Sequence, residues 1–190
     1  MKKNAKRKIF VSTIDLMEEY SIDEITIKMI CAYSGINRST FYAHFTDKYD
    51  LFEQIQEYHK ARYIRLTSPL YQNFDRVRYN KQKLLQFFRI QFKYIYRYQR
   101  FFHAVFISHP QKDFVIEMVH LTYDSYEKVM AEYTDMDHHM YYVQYLIGGQ
   151  LGVVFSWLRR KCKESPEEMA RIMLRNTIKM RELEETDLPK

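Results

Sequence analysis

Glycine, proline and cysteine are all scarce in this chain of 190 residues, which contains four Gly, four Pro and two Cys. Few Gly and Pro leave few points at which a helix must break. The chain also lacks an Asn-Gly hairpin dipeptide and segments in which Val, Ile or Thr alternate with polar residues, so hairpins are not favoured. Residues that favour helices, mainly Leu, Met, Lys, Glu, Gln and Arg, dominate instead. These features predict an all-α fold.

Signals for catalysis, cofactors and metals are lacking as well. The seven histidines show neither HExxH nor HxxxH spacing, and no Gly-rich loop is present to hold a nucleotide. Cys31 and Cys162 do not form a CxxC pair, and no apolar segment or cleavage site follows the basic N-terminus. We therefore predict a cytoplasmic protein that is not an enzyme and that has no cofactor, metal site or catalytic residues.

One long segment, residues 140–158, has no charged residue and is followed by a basic tripeptide, an arrangement typical of a membrane span. Polar Gln144, Gln150 and Ser156 weaken that interpretation. A helix that is apolar nearly all round is also typical of a buried position. We predict a buried helix and no membrane contact; the alternative, a membrane-anchored sensor, is tested by whether the protein stays soluble without detergent.

The net charge of +6 is unevenly distributed. Residues 1–60 are neutral overall, residues 61–112 carry a net charge of +10, and residues 113–190 carry −4. Within the neutral section, an N-terminal arm contains five basic and no acidic residues: Lys2, Lys3, Lys6, Arg7 and Lys8. Such a placement of charge is suited to phosphate groups.

A helix-turn-helix is predicted at residues 26–45. Apolar spacing predicts a first helix at residues 6–20. Thr26 is a good N-cap for a second helix that ends near Tyr33, and Gly35 can adopt the left-handed conformation that turns a helix end. Asn37 is then a good N-cap for a third helix at residues 38–45. Two helices joined by a tight glycine turn define the motif.

The rest of the chain is predicted to form further helices. A fourth helix is expected at residues 48–66, and a boundary near residue 67, at Ser68 and Pro69, separates a first domain of residues 1–66 from a second of residues 67–190. In the second domain, the pattern predicts helices near residues 81–97, 100–107, 111–133, 138–162 and 166–182.

The third helix offers groups that suit the major groove of DNA. Arg38, Ser39 and Thr40 lie on its first turn, near base edges, where Arg can pair with guanine and hydroxyls with several bases. Phosphates that fix the register would be held by Tyr42, His44 and Lys48, and by the start of the second helix at Thr26 and Lys28. Asn37, at the start of the third helix, is also predicted to bind DNA. Taken singly, each residue is more often part of a core or a solvated surface; together they favour DNA binding.

The motif TIKMICAYSGINRSTFYAHFTDKYDL, residues 26–51, resembles the DNA-binding domain of TetR/AcrR-type regulators, and the resemblance extends over about residues 6–58. Cys31 and Ser34 stand where that family usually has alanine. Farther along, YLIGGQLG at residues 145–152, Trp157-Leu158 and KESPEEM at residues 163–169 are similar to the C-terminal region of the DhaS-like subgroup.

The resemblance implies a homodimer that binds a palindromic operator on double-stranded DNA, with half-sites about 34 Å apart. Its dimer interface is expected to include Tyr145, Gly148, Gly149, Gly152 and Trp157. The family also implies a repressor that a small-molecule effector releases by moving the fourth helix. The alternative is a co-regulator or activator of the same fold that acts through a protein partner.

The effector site is not predicted at the level of residues. Aromatic residues are abundant between Tyr94 and Trp157, but aromatic stripes at helical spacing are more often core. Basic residues recur at helical spacing and would attract an acidic effector or, more often in such patterns, form a solvated face: Arg89, Lys93, Arg97 and Arg100.

Overall fold

A computed structural model describes residues 2–73, 76–77, 80–133 and 138–181, and the regular elements in these ranges are helices. In chain order they are α1 Lys2–Leu16, α2 Ile27–Ser34, α3 Arg38–Tyr42, α4 Lys48–Gln72, α5 Lys81–Arg97, α6 Gln99–His103, a π-helical turn Ala104–Ser108, α7 Lys112–Tyr133, α8 His139–Arg159 and α9 Pro166–Arg181. The predicted all-α fold is confirmed.

The chain divides into two compact units. The first contains Met1–Tyr63 and Tyr98–Met118, and the second contains Ile64–Arg97 and Val119–Lys190. This division differs from the predicted boundary near residue 67, because α4 continues through that position to Gln72 and because residues 98–118 return to the first unit.

Helix α4 includes Pro69, which the sequence had placed in a connection. Proline removes one helical hydrogen bond, and nearby polar side chains hydrogen-bond to the backbone around it. The hydroxyls of Thr67 and Ser68 donate to the Ile64 carbonyl at 3.2 and 2.7 Å, and Asn73 Nδ2 donates to the Pro69 carbonyl at 3.1 Å. The helix therefore runs longer than predicted.

The first unit has an aliphatic and aromatic core contributed by α1, α2, α3 and α4. The buried side chains with no exposed surface include Ile9, Ile25, Ile30, Phe41, Leu51 and Ile55. One polar residue, Thr13, is also fully buried, and its hydroxyl donates to the Ile9 carbonyl at 2.8 Å. This core sets the position of α3 against α1 and α4.

His59 on α4 is buried among aromatic rings of the first unit. Its ring stacks on Phe101 at 3.9 Å and meets Tyr98 and Phe102 edge-on at 4.9 and 5.7 Å. Burial, together with the nearby Arg62 guanidinium, lowers the pKa of His59 from 6.5 to about 3. The imidazole is therefore neutral in the folded protein near pH 7.

We expect acid to destabilise the protein partly through His59. Between pH 6.5 and 3 the unfolded state binds a proton at this residue that the folded state does not, so the free energy of unfolding falls as the pH falls. His59→Phe should reduce that loss by roughly 2 to 3 kcal/mol between pH 7 and pH 4.5. Urea titrations at several pH values measure it, with exposed His120→Gln as the control; equal slopes for His59→Phe and the wild type would contradict the assignment.

The second unit is built mainly on the packing of α5 against α9. Phe88 and Phe92 on α5 and Met169 and Met173 on α9 are buried. Helix α9 begins with a capping box, because Ser165 N donates to Glu168 Oε2 at 2.8 Å and Glu168 N donates to Ser165 Oγ at 3.2 Å. The predicted start of the last helix at Ser165-Pro166 is confirmed.

Candidate nucleic-acid interface

The turn between α2 and α3 is stabilised by the three residues that the sequence indicated. Thr26 caps α2 by accepting a hydrogen bond from Met29 N at 3.2 Å, and Asn37 caps α3 by accepting one from Thr40 N at 2.8 Å. Between them, Gly35 adopts the left-handed conformation with φ 65°, and its N–H donates to the Cys31 carbonyl. A side chain at Gly35 would be strained in this conformation, so glycine fixes the angle at which α3 leaves α2.

Helix α3 is shorter than predicted, ending at Tyr42 instead of near Phe45. Phe41 and Phe45 are buried and contact each other at 5.5 Å, and the Phe45 ring lies 6.0 Å from Phe10 of α1. This aromatic contact anchors one side of the helix, and side chains of α3 outside it form an exposed face. That exposed face carries Arg38, Ser39 and Tyr42, whereas Thr40 and His44 are half-buried.

The exposed face of α3 borders a shallow depression of about 670 Å³, which we call the reading groove. Residues from the starts of α2 and α4 complete its lining, which consists of Ile25, Thr26, Ile27, Lys28, Arg38, Tyr42, Asp47, Lys48 and Tyr49. Five of the predicted DNA-binding residues thus lie together: Thr26, Lys28, Arg38, Tyr42 and Lys48. Four others, Asn37, Ser39, Thr40 and His44, lie on or beside α3 but do not line the groove.

Arg38 is the basic side chain of α3 in the reading groove. It is exposed, and no hydrogen bond or ion pair is found for its guanidinium in the described part of the chain. Burial raises the pKa of the Cys31 thiol, and the positive charge of Arg38 partly opposes this rise. Arg38 is therefore available for two parallel hydrogen bonds to a guanine.

Ser39 and Asn37 are coupled. Ser39 Oγ donates to Asn37 Oδ1 at 2.9 Å, and the same oxygen caps α3 by accepting from Thr40 N. The Ser39 oxygen retains lone pairs that can accept from a base. Asn37, in contrast, holds the helix end, so its position serves the geometry of α3.

Lys48 has a different environment from the predicted one. Its ammonium donates to the carbonyls of Ile22, Asp23 and Ile25 at 2.8, 2.8 and 2.9 Å, which uses all three of its N–H groups. Lys48 thus fastens the segment between α1 and α2 to the start of α4. The prediction that its ammonium holds a phosphate is replaced by this structural role, which no local pattern in the sequence indicated.

Tyr49 was not singled out from the sequence, although it follows Lys48 in the motif. Its ring is 55% exposed in the reading groove, and its hydroxyl donates to Asp23 Oδ1 at 3.2 Å, which raises the pKa of Tyr49. Asp47 contributes negative charge to the lining, but its Oδ1 is occupied as the cap of α4, accepting from the N–H groups of Tyr49 and Asp50 at 2.8 Å each.

Two sequence models of protein families match this chain. Residues 9–55 match the sequence model described as bacterial regulatory proteins, tetR family. Residues 82–179, more than half of the chain, match the one described as transcriptional regulator C-terminal region, which belongs to the same family. The chain belongs to the TetR family of transcriptional regulators. No curated protein sequence matches it.

Solved TetR-fold structures resemble the chain over nearly its whole length. The fatty acid degradation regulator FadR from Bacillus halodurans has a TM-score of 0.69 at 13% identity, covering 92% of this chain and 94% of that one. FadR from Bacillus subtilis in complex with stearoyl-CoA has a TM-score of 0.65 at 12% sequence identity, and the match covers 90% of this chain and 97% of that one. The dihydroxyacetone kinase operon activator DhaS has a TM-score of 0.58 at 18% sequence identity, and the match covers 93% of this chain and 95% of that one. At these identities the likeness concerns the fold.

In this TetR-family chain, four of the five predicted dimer residues lie on an exposed face of α8. Tyr145 is 70% exposed, and a Cβ added at Gly148, Gly149 or Gly152 would meet no atom of the described residues within 4 Å. We call this surface the glycine face. Tyr141 and Ser156 are also exposed and extend it along the helix, so that its residues recur at spacings of three, four and seven. None of these residues is charged.

Trp157, the fifth predicted dimer residue, is buried within the second unit. It is 1% exposed, its indole N–H donates to the Glu164 carbonyl at 3.0 Å, and its ring meets Phe92 edge-on at 5.2 Å. Trp157 therefore has almost no surface to offer another subunit, and its prediction as a dimer contact is corrected to a core position.

The basic row predicted for one helix face is divided by the structure. Helix α5 ends at Arg97, and Arg100 lies on α6 in the first unit. There it pairs with Asp15 of α1 at 2.6 Å and with Glu18, just after α1, at 3.0 Å. In the second unit, Lys93 pairs with Glu167 of α9 at 2.9 Å. Two of the four basic residues thus hold helices together.

Residues 140–158, for which a membrane span had been an alternative, lie within α8. Among the described residues, no helix combines the length and the apolar character needed to cross a bilayer.

Proposed function

We propose that this TetR-family regulator binds a specific palindromic operator as a homodimer and acts as a repressor that a small molecule releases. The observation that carries the DNA-binding part is the exposed face of α3, where Arg38 has no hydrogen-bond or ion-pair partner among the described residues and borders the start of α2. Free N–H groups at the start of α2 and the Lys28 ammonium suit a phosphate, and Arg38 and Ser39 suit base edges. A regulator that binds the bacterial chromosome works in the cytoplasm.

Footprinting tests the proposal. Genomic fragments enriched by the purified full chain would be cleaved with hydroxyl radicals in its presence. We expect two related protected segments on one face of the duplex, centred about one helical turn or a multiple of it apart. Uniform protection at all positions would contradict sequence-specific binding.

The proposed homodimer rests on the glycine face of α8. Exposed glycines inside a helix cost about 1 kcal/mol each relative to alanine, so three of them on an uncharged face need a compensating role. Close approach of a second helix supplies one. The tyrosines at the same face add area that favours burial.

Gly149→Trp is expected to yield a folded monomer. None of the described residues meets a Cβ at this position, so the single chain should tolerate the tryptophan side chain, whereas a closely packed second helix would not. Sedimentation equilibrium measures the mass, with Gln82→Trp at the exposed start of α5 as the control. A Gly149→Trp protein that sediments as a dimer with the wild-type dissociation constant would exclude this face as the interface.

The effector part of the proposal rests on the family and on α4. One similar structure was solved with stearoyl-CoA, and another is named a fatty acid degradation regulator, so long-chain acyl thioesters are the class to test first. Helix α4 is continuous from Lys48 to Gln72, and its residues belong to the first unit up to Tyr63 and to the second from Ile64. A ligand that favours one position of the distal part of α4 would thereby shift the population of DNA-binding states.

A further inference from the structure

A second depression lies on the first unit, between α1 and the end of α2, with a volume of about 380 Å³. We call it the α1 groove, and its lining consists of Asn4, Arg7, Lys8, Val11, Ser12, Tyr33 and Ser34. The α1 residues recur at spacings of three and four, so one face of that helix forms the wall. No acidic residue is part of the lining.

The basic side chains that the structure describes on α1, at residues 6, 7 and 8, divide into two groups. The Lys6 ammonium donates to Gln54 Oε1 of α4 at 2.7 Å and lies 5.6 Å from the centroids of the Phe10 and Phe45 rings. Arg7 and Lys8 are exposed, and over the ranges that the structure describes neither forms a hydrogen bond or an ion pair. One cation of the arm therefore joins α1 to α4, and the two in the α1 groove are left for an external anion.

Tyr33 gives the α1 groove a second kind of group. It is the last residue but one of α2, and its ring is 60% exposed. A phenol in this position can lie against a deoxyribose and donate its O–H to a phosphate. With Asn4, which can donate an amide N–H, the groove offers cations, hydrogen-bond donors and a flat ring, the combination that a sugar-phosphate backbone requires.

Helix α2 links the two grooves. Its first residues, Ile27 and Lys28, line the reading groove, and its last two, Tyr33 and Ser34, line the α1 groove. Eight helical residues span about 12 Å, which is close to the width of the major groove. A duplex held at the start of α2 therefore has further backbone within reach of the other end.

We propose that the α1 groove binds the sugar-phosphate backbone of duplex DNA outside the base pairs that α3 contacts, through Arg7, Lys8, Asn4 and Tyr33. This inference rests on the proposed DNA-binding function. In this proposal the α1 groove increases the affinity for DNA and lengthens the half-site that the protein contacts. The reading groove recognises the bases. The contact is absent on a duplex that ends at the core of the operator.

The test compares two duplexes that contain the same selected operator core, one ending at the core and one extended by six random base pairs on each side. Fluorescence anisotropy titrations at several salt concentrations would use the wild-type chain, the double variant Arg7→Gln/Lys8→Gln, and Lys112→Gln/Lys163→Gln as a control with the same net charge. Both control lysines are exposed, and circular dichroism would show that each variant is folded.

We expect the wild type and the control to bind the extended duplex at least about tenfold more tightly than the core duplex, and the double variant to bind both equally. On the extended duplex, the double variant should also lower the slope of log K against log salt by about two per subunit. The inference is overturned if the wild type binds both duplexes equally, or if the double variant retains the gain. Failure of the wild type to bind any specific duplex would instead overturn the proposed function.

Discussion

Replacing Lys48 with methionine is expected to destabilise the first unit by about 2 to 4 kcal/mol. Methionine keeps the apolar stem but leaves the carbonyls of Ile22, Asp23 and Ile25 without the three charge-assisted hydrogen bonds that they accept. These carbonyls lie in the segment that precedes the Thr26 cap of α2, so its loosening should also displace the start of α2. Urea denaturation measures the loss, and binding to specific and random DNA should weaken together.

Lys28→Met is the matched control. Lys28 also lines the reading groove, but it is exposed and its substitution breaks no hydrogen bond found in the described part of the chain. We expect the free energy of unfolding of Lys28→Met to differ from that of the wild type by less than about 0.5 kcal/mol. The slope of log K for DNA binding against log salt should fall by about one per subunit. If Lys48→Met instead unfolded like the wild type and showed only the reduced salt slope, Lys48 would be a phosphate ligand and its structural role would be wrong.

Arg38→Ala is expected to weaken operator binding by about 1 to 3 kcal/mol for each half-site, which doubles in a symmetric dimer. The guanidinium is exposed in the reading groove and has no partner among the described residues, so its removal should leave the free energy of unfolding nearly unchanged. Because Arg can bind both acceptors of a guanine, the loss should be confined to specific DNA and should relax the preference at one base pair of the half-site.

Titrations against the operator, single-base variants of it and a random duplex measure these effects. Arg171→Ala, at an exposed position of α9, serves as a control for the loss of one positive charge. An equal loss on specific and random duplexes would assign Arg38 to the phosphate backbone, and α3 would then lack its principal base contact.

The helix-turn-helix could be predicted from sequence because its chemistry is local. The Thr26 and Asn37 side chains cap α2 and α3 by accepting hydrogen bonds from backbone N–H groups only three residues farther along the chain. Gly35 supplies a conformation that other residues adopt only at a cost in free energy. Each signal lies within a few residues of the structure that it causes. For this reason both the motif and the exposed face of α3 agree with the sequence.

Lys48 and Trp157 show what local reasoning missed. The partners of Lys48 lie more than 20 residues away in sequence, so its apparent freedom could not be judged from its neighbours. Helix α8 is apolar nearly all round, so the sequence did not distinguish the face that packs against Phe92 from the glycine face. The return of residues 98–118 to the first unit likewise depends on long-range packing, such as the Arg100 contacts with α1.

Selection from a random pool of duplexes tests the central claim most directly. The purified full chain would be equilibrated with the pool at two salt concentrations, and the bound fraction would be sequenced. A homodimer that reads bases through α3 should enrich an inverted repeat, with half-sites about one helical turn apart, at both salt concentrations. Recovery of random sequences, bound at low salt and lost at high salt, would contradict sequence-specific recognition and would favour a regulator that acts through a protein partner.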